Sequence, residues 1–237
     1  MANLSLQTLS WLVPRNTSPP PVFRGTFYFI KVVLKLYTFY TPSHALLYEN
    51  YFLPSLPQEF ELIAHEHDQQ CLTAVYHSQG WRETVFKKIG ILIDACKANM
   101  GDCFVFSDVD VQFFWPCKQV LLNELGDFDI ACQYDLRGQH CAGFFICRAN
   151  AATLALFEKM RDDYGVSDQP TMNKHISMCK AKFLSHKFYT VARSLDGLWT
   201  GQDVDVPVDI LIHHANWVEG VQGKARLLEL VRSKFLA

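Results

Sequence analysis

The chain has 237 residues, a formal net charge of −2 and 49% hydrophobic content, enough to bury a large core, so its simplest organisation is one α/β domain. The near-neutral balance supplies no basic face for nucleic acid, and no apolar run reaches the ~20 residues that a spanning helix needs. Cysteines at 71, 96, 103, 117, 132, 141, 147 and 179 form no C-x-x-C pair and no zinc spacing with histidine, and several read as buried thiols.

Residues 1–13 lack a basic n-region, and Ser5, Gln7, Thr8 and Ser10 break their apolar core, so they do not read as a secretory signal. A reducing, cytoplasmic location is the resulting expectation. Residues 14–25 (PRNTSPPPVFRG) read as an extended linker, which makes 1–25 an N-terminal arm with a proline-rich linker and 26–237 the domain. Residues 26–41 are the first strand, interrupted only by Lys31 and Lys35. Pro42 and Ser43 open a helix that Pro54 and Pro57 close. The next strand, 60–64, ends in His65-Glu66-His67-Asp68; the two histidines share one side of an extended chain, a spacing open to a metal, although a solvated strand end is the commoner cause. Residues 82–99 form the clearest helix, with Val85, Ile89, Leu92 and Cys96 along one stripe. Lys88 borders that stripe and either aims at a phosphate or lays its stem on the core.

The central stretch is CFVFSDVDVQFF, 103–114. Its apolar run without alternation suits a strand covered on both faces within a mostly parallel sheet. In such sheets ligands bind at the carboxyl edge of the strands, and here that edge carries Asp108 and Asp110, which can share one hard divalent cation that also touches a diphosphate. A bare D-x-D is more often a pair of solvated acids. Acids between FVF and VQFF, however, sit where uncompensated charge is expensive, so a counter-ion is expected. A carboxylate kept for a cation is unfavourable without it, so Asp110→Asn is expected to be tolerated by the fold.

Residues 119–125 are a short helix closed by Gly126, 128–132 a strand, and 134–140 a polar loop containing Asp135. In the following strand, 141–147, Gly143 hints at close backbone approach by a ligand, with a bulge as the commoner cause. Residues 151–164 are helical, and Ser167-Asp168-Gln169-Pro170 opens a further helix. A second D-x-D, Asp203 and Asp205, follows a glycine-rich polar loop where solvation is free, and reads as a decoy. The last strand, 208–212, delivers His213 and His214; Gly220, Gly223 and Lys224 precede a C-terminal helix at 225–235. Alternation sends the two histidines to opposite sides, so only one can face the acids, and Lys224 could meet a phosphate.

Taken in order, YTFYTPSH, GW with a downstream K-I, SDVDVQFF, CAGFF, SDQPTMN and HHANWVEGVQGK resemble the nucleotide-diphospho-sugar transferase family of GT-A glycosyltransferases, over roughly residues 33–231. The resemblance implies a Rossmann-like, mostly parallel sheet flanked by helices, a sugar nucleotide as donor, and a glycan or other hydroxyl as acceptor. It implies that Asp108 contacts the ribose or a metal-bound water, that Asp110 ligates a divalent cation (usually Mn2+, otherwise Mg2+), and that His214, in the H-x-N position, is the third ligand ahead of His213. Lys224 matches a lysine on the diphosphate; Lys88 and Gly143 join Asp108 on the donor side. Asp168 and Gln169 match a D-Q pair beside the donor sugar, which they would position together with Asp135. The related branch retains anomeric configuration. One departure is Cys141-Ala142-Gly143 where relatives often carry N-x-G, so an amide contact to the sugar is lost or relocated. Two rivals stand beside this reading: a non-catalytic sugar-nucleotide or glycan-binding relative, and an aspartate-nucleophile phosphohydrolase. The second is disfavoured by Gln112, at a position where those enzymes carry threonine or valine.

Overall fold

In the computed structural model, which describes residues 33–71, 78–165 and 167–237, β1 is Leu34–Tyr40 and starts the compact unit that runs from Val33 to Ala237. The expected arm and linker at 1–25, and the beginning of the expected first strand, lie outside the described residues. A helical run over 42–55 leads to β2 (Phe60–Glu66), parallel to β1. That run continues through Pro54, in its last turn, and ends at Ser55.

The helix Trp81–Ala98 buries Ile89, Leu92 and Cys96 as their spacing predicts, and buries Lys88 with them. Gly80 precedes it with φ 79°, and a Cβ there would lie 2.0 Å from the Gln70 carbonyl oxygen, so only glycine fits this entry to the helix. The helix delivers β3 (Cys103–Ser107) to the middle of the sheet, where residues 104–107 are fully buried and both faces are covered.

Next come β4 (Val111–Phe113), the helix Lys118–Leu125, β5 (Ile130–Asp135) and β6 (Gln139–Arg148). The stretch read as a polar loop at 134–140 is thus the end of one strand, a tight turn at Leu136–Gly138 and the start of the next, with Arg137 at φ 60° and Gly138 at φ 73°. So short a connection forces β6 to reverse, because a parallel partner would need a crossover of about a dozen residues. With β7 (Ala181–Phe183) the main sheet has the order β2-β1-β3-β6-β5-β7; β6 is antiparallel to both neighbours and the other pairings are parallel.

A second sheet, β4-β9-β8, joins β8 (Phe188–Thr190) to β9 (Ile212–His214). The last strand therefore lies later than 208–212. Val208 is 93% exposed, and antiparallel pairing with β4 sets Val111 opposite His214, which draws both histidines into the strand. The C-terminal helix is Gly220–Leu236, so Gly220, Gly223 and Lys224 lie in its first turns instead of ahead of it.

The main sheet is sandwiched between two cores. Leu36, Val105, Phe144 and Ile146 share one with Leu227, Leu228 and Val231 of the C-terminal helix. Phe104, Phe106, Phe145 and Cys147 share the other with Ile89, Leu92, Leu156 and Phe157. Each fully buried Phe or Leu contributes about 1.5–3 kcal/mol relative to exposure, and Val105 and Phe106 face opposite cores, so β3 is held from both sides. No disulfide joins the cysteines among the described residues. Among the described residues no helix is long and apolar enough to cross a membrane.

Candidate active site

Beyond β3 the chain carries Asp108 and Asp110 and re-enters a sheet as β4, which pairs with β9 far along the sequence. Through this pairing the Ala215 N–H donates to the Asp110 carbonyl at 2.9 Å, and His214 is set beside the acids. His214 Nε2 lies 3.2 Å from Asp110 Oδ1, and one ligand atom each from Asp108, Asp110 and His214 fall within 4.8 Å of one another. His213 points to the other face, fully buried beside Tyr189 with ring centroids 5.7 Å apart. Neither of its ring nitrogens has a partner among the described residues, and burial, then the neighbouring His214, pull its pKa down to about 3.

The counter-charge expected around the acids is supplied in part by the chain itself. Lys88 is enclosed, its Nζ 2.8 Å from Asp108 Oδ1, 2.9 Å from Asp168 Oδ2 and over the Phe106 ring. Burial alone would favour the neutral amine, but these two carboxylates outweigh it and hold the ammonium charged. Two of the three donors of its head are thus directed at acids. Lys224 pairs with Asp110 Oδ2. Burial pushes Asp110 up, yet Lys224 and His214 beside it hold its carboxyl well below the usual range. Asp168 is likewise held down by Lys88 against the effect of burial. Asp108 goes the other way: burial, then the charges of Asp110 and Asp168, push it up despite Lys88. Three carboxylates share two ammoniums, and the charge left uncompensated falls on Asp108.

β6 passes directly beneath this cluster. The Asp108 N–H donates to the Gly143 carbonyl at 2.7 Å. A Cβ on Gly143 would lie 2.5 Å from His214 Cε1 and 2.6 Å from Asp108 Oδ2. The glycine is therefore required by close approach, but the groups approaching are the acid and the histidine. The pairing of β5 with β6 also slips between Cys132 and Tyr134, opposite this stretch, so the irregularity expected of a strand glycine is present too. On the far side of the imidazole, His214 Nδ1 is 2.8 Å from Gln133 Oε1 and 3.7 Å from Cys141 Sγ.

On the sugar side of the expected site, the helix Asp168–His175 is tied to β6 by Asn173, whose Oδ1 accepts from the His140 N–H and whose amide donates to the His140 carbonyl, both at 2.8 Å. Asp168 Oδ1 accepts from Ser167 Oγ at 3.0 Å while its Oδ2 holds Lys88. Gln169 Nε2 donates to Asp135 Oδ2 at 2.8 Å. Asp135 Oδ1 takes the Leu136 N–H at 2.6 Å and the Trp217 indole N–H. Both oxygens of Asp135 are thus occupied, and the residue ties Gln169 and Trp217 together. Trp217 has φ 55°, a strained backbone for an aromatic residue, held by its indole and by its carbonyl, which accepts from the Trp199 N–H at 2.7 Å.

One cleft of about 530 Å³ collects every residue expected at the site: Lys88, Asp108, Asp110, Asp135, Gly143, Asp168, Gln169, His214 and Lys224. His65 and His67 do not line it, nor do Asp203 and Asp205, and the Asp203 side chain is 79% exposed and paired with Lys234. Sequence reasoning missed three participants. Gln133 carried a signal, an amide inside the apolar strand IACQYD, which when buried must find partners. Trp217 and His44, a cleft residue whose pKa burial and then Lys224 lower to about 4, stood inside the landmarks HHANWVEGVQGK and YTFYTPSH without a role of their own.

The sequence profile of the nucleotide-diphospho-sugar transferase family matches residues 59–228, well over half of the chain. None of the curated proteins compared with the chain matches it. Among solved structures it is similar to a glycosyltransferase involved in the glycosylation of the major capsid of PBCV-1, at TM-score 0.55 and 9% identity, over 83% of this chain and 99% of that one. It is also similar to the glycosyltransferase GlyE of Streptococcus pneumoniae TIGR4, at TM-score 0.53 and 11% identity in the apo form and 0.52 and 13% in a second structure. Both alignments cover 86% of this chain and 60% of the GlyE chain, so the chain spans about three fifths of that structure. At such identities the likeness concerns the fold, which is the GT-A type expected from the sequence landmarks. The profile runs from β2 into the C-terminal helix and takes in both walls of the cleft; the chain belongs to the nucleotide-diphospho-sugar transferase family.

Proposed function

We propose that the protein transfers a sugar from a nucleoside-diphosphate sugar to a hydroxyl acceptor, with retention of anomeric configuration, using a divalent cation held by Asp108, Asp110 and His214. The observation that carries this reading is the meeting of those three side chains, two from the turn between β3 and β4 and one from β9, which pairs with β4 only in the tertiary structure, with ligand atoms within 4.8 Å of one another. Their chemistry suits Mn2+ or Mg2+, since two carboxylates and one imidazole form a hard, mixed oxygen and nitrogen set, and the local charge is short of one cation. When bound, such a cation supplies Lewis-acid stabilisation for the diphosphate leaving group.

The chain's own residues would do the rest. Lys224, 23% exposed at the edge of the cleft, can turn from Asp110 to a diphosphate oxygen and neutralise charge as it develops. Lys88 fixes Asp108 and Asp168 relative to each other. Asp135 aims Gln169 and Trp217 at the sugar. Both oxygens of Asp135 and of Asp168 already hold neighbouring groups, so neither acid stands out as the nucleophile of a double displacement, and we read the transfer as front-face. In that step the bond from the anomeric carbon to the phosphate oxygen breaks, the acceptor oxygen bonds to the same carbon from the same face, and its proton passes to the departing phosphate. Family membership removes the phosphohydrolase reading, and turnover separates transfer from mere binding.

The test is thermal stabilisation by a panel of sugar nucleotides with and without Mn2+, followed by donor hydrolysis, on the parent and on Asp110→Asn. Binding to the folded state alone raises apparent stability by about 2.7 kcal/mol at a hundredfold excess over Kd. The parent should respond to a donor only with Mn2+ and should hydrolyse it; the variant should do neither. Contrary to the expectation from sequence, Asp110→Asn also costs about 1–3 kcal/mol of stability, because Lys224 and His214 lose a buried charged partner. Stabilisation without hydrolysis would point to a binding protein, and an unchanged Mn2+ response in Asp110→Asn would remove the metal role.

A further inference from the structure

Gln133 is fully buried on β5, where the pairing with β6 slips. Its amide nitrogen lies 3.2 Å from the Phe188 carbonyl oxygen and 2.9 Å from that of Tyr189, both on β8. Its Oε1 lies 2.8 Å from His214 Nδ1. An amide can be turned over, exchanging nitrogen for oxygen, and the surroundings decide which way it sits. The reverse orientation would set an oxygen against two carbonyl oxygens and forfeit two buried hydrogen bonds, so the nitrogen faces β8 and the oxygen faces the histidine. Cys141 Sγ, on the same side of the ring, already accepts from the Gly143 N–H at 3.3 Å and offers a second acceptor toward Nδ1.

An acceptor opposite Nδ1 requires the ring to carry its proton there. Nε2 then faces Asp110 Oδ1, 3.2 Å away, and a proton or a cation can stand between the two. Whichever does, Gln133 Oε1 keeps the other ring proton on Nδ1. We infer that Gln133 is a positioning residue that holds the His214 proton on Nδ1 and so leaves Nε2 as the nitrogen turned, as a metal ligand, to the Asp108–Asp110 pair. The β8 carbonyls thereby reach the site through one amide: they orient Gln133, and Gln133 orients His214. Hydrogen-bonded partners behind a ligating histidine fix its tautomer and ring orientation, and their loss costs 10- to 100-fold in metal affinity.

The inference rests on the metal reading above only for its consequence; the tautomer can be observed without metal. Imidazole 15N NMR of the parent chain, prepared without divalent ions, should show His214 with a protonated Nδ1, whatever Nε2 carries. An unprotonated Nδ1 there would overturn the proposal outright. Gln133→Met keeps length and bulk but removes the acceptor. It should shift the His214 Nδ1 resonance toward the unprotonated form and weaken binding of Mn2+ alone, measured by the free-ion electron paramagnetic resonance signal, by 10- to 100-fold. In a His214→Ala background the same change should have little further effect on Mn2+ affinity, whereas a loss of general packing would persist there. Unaltered tautomer and affinity in Gln133→Met would refute the role. If the parent showed the Nδ1–H tautomer but bound no Mn2+, the positioning of the ring would stand and the metal reading would fall.

Discussion

Replacing Gly143 by alanine adds one methyl group where β6 crosses under the site. That methyl would lie 2.5 Å from His214 Cε1, 2.6 Å from Asp108 Oδ2 and 3.1 Å from His214 Nε2, whereas ordinary contact begins at 3.4 Å. Something must move by roughly 1 Å, the scale on which misplacing a catalytic group costs about 100-fold in rate. The backbone of β6 cannot readily yield, because the Gly143 carbonyl holds the Asp108 N–H at 2.7 Å and Phe144 is paired with Ser107. Asp108 is tied to Lys88, and the His214 ring is braced by Gln133. The acid and the imidazole must therefore be pushed apart. Overpacking of this kind costs about 1–3 kcal/mol of stability. Urea unfolding should show a lower midpoint with an unchanged slope, and donor turnover should fall about 100-fold while the variant stays folded. In a His214→Ala background the nearest obstruction is gone, so the added cost of Gly143→Ala should shrink. A Gly143→Ala protein with the parental urea midpoint and parental turnover would refute the close approach and with it the account of why this strand carries a glycine.

Two other perturbations separate the site from its surroundings. Asp203→Asn combined with Asp205→Asn should leave Mn2+ affinity within about threefold of the parent, since these acids lie outside the cleft and exposed pairs such as Asp203–Lys234 contribute little; loss of metal binding in that double variant would relocate the site. Asp168 is held below its ordinary pKa of 3.8 in the folded state, so the unfolded chain binds more protons as pH falls through that range. Its contribution is complete above 3.8 and is lost on acidification below it. Asp168→Asn should therefore flatten the dependence of the urea midpoint on pH between neutrality and the acid range, and an identical pH profile in parent and variant would show that the Lys88–Asp168 pair adds nothing to the fold.

Local chemistry determined much of this protein. An uninterrupted apolar run followed by two acids announces a central strand with charge at its carboxyl edge, and β3 with Asp108 and Asp110 lies where that pattern places it. The stripe Ile89, Leu92 and Cys96 required a helix packed on that sheet. The motif order led to the family, and alternation required that only one of two adjacent histidines could face the acids. Other features arose from contacts between segments remote in sequence. The reversal of β6 depends on a tight turn at Arg137 and Gly138 that reads in sequence as an ordinary polar loop. The true extent of β9 follows from its register with β4, which no local propensity encodes. Lys88 borders a helix stripe with no partner evident in sequence, and only the fold brings Asp168, from another helix, to close around it with Asp108. Gln133 reads as one polar residue in a strand until β8 and β9 fold against it, and then its two ends find two carbonyls and an imidazole. Periodicity and charge are properties of neighbouring residues, so they are legible along the chain; partner choice at a site depends on which distant atoms share a small volume, and only the tertiary structure decides that.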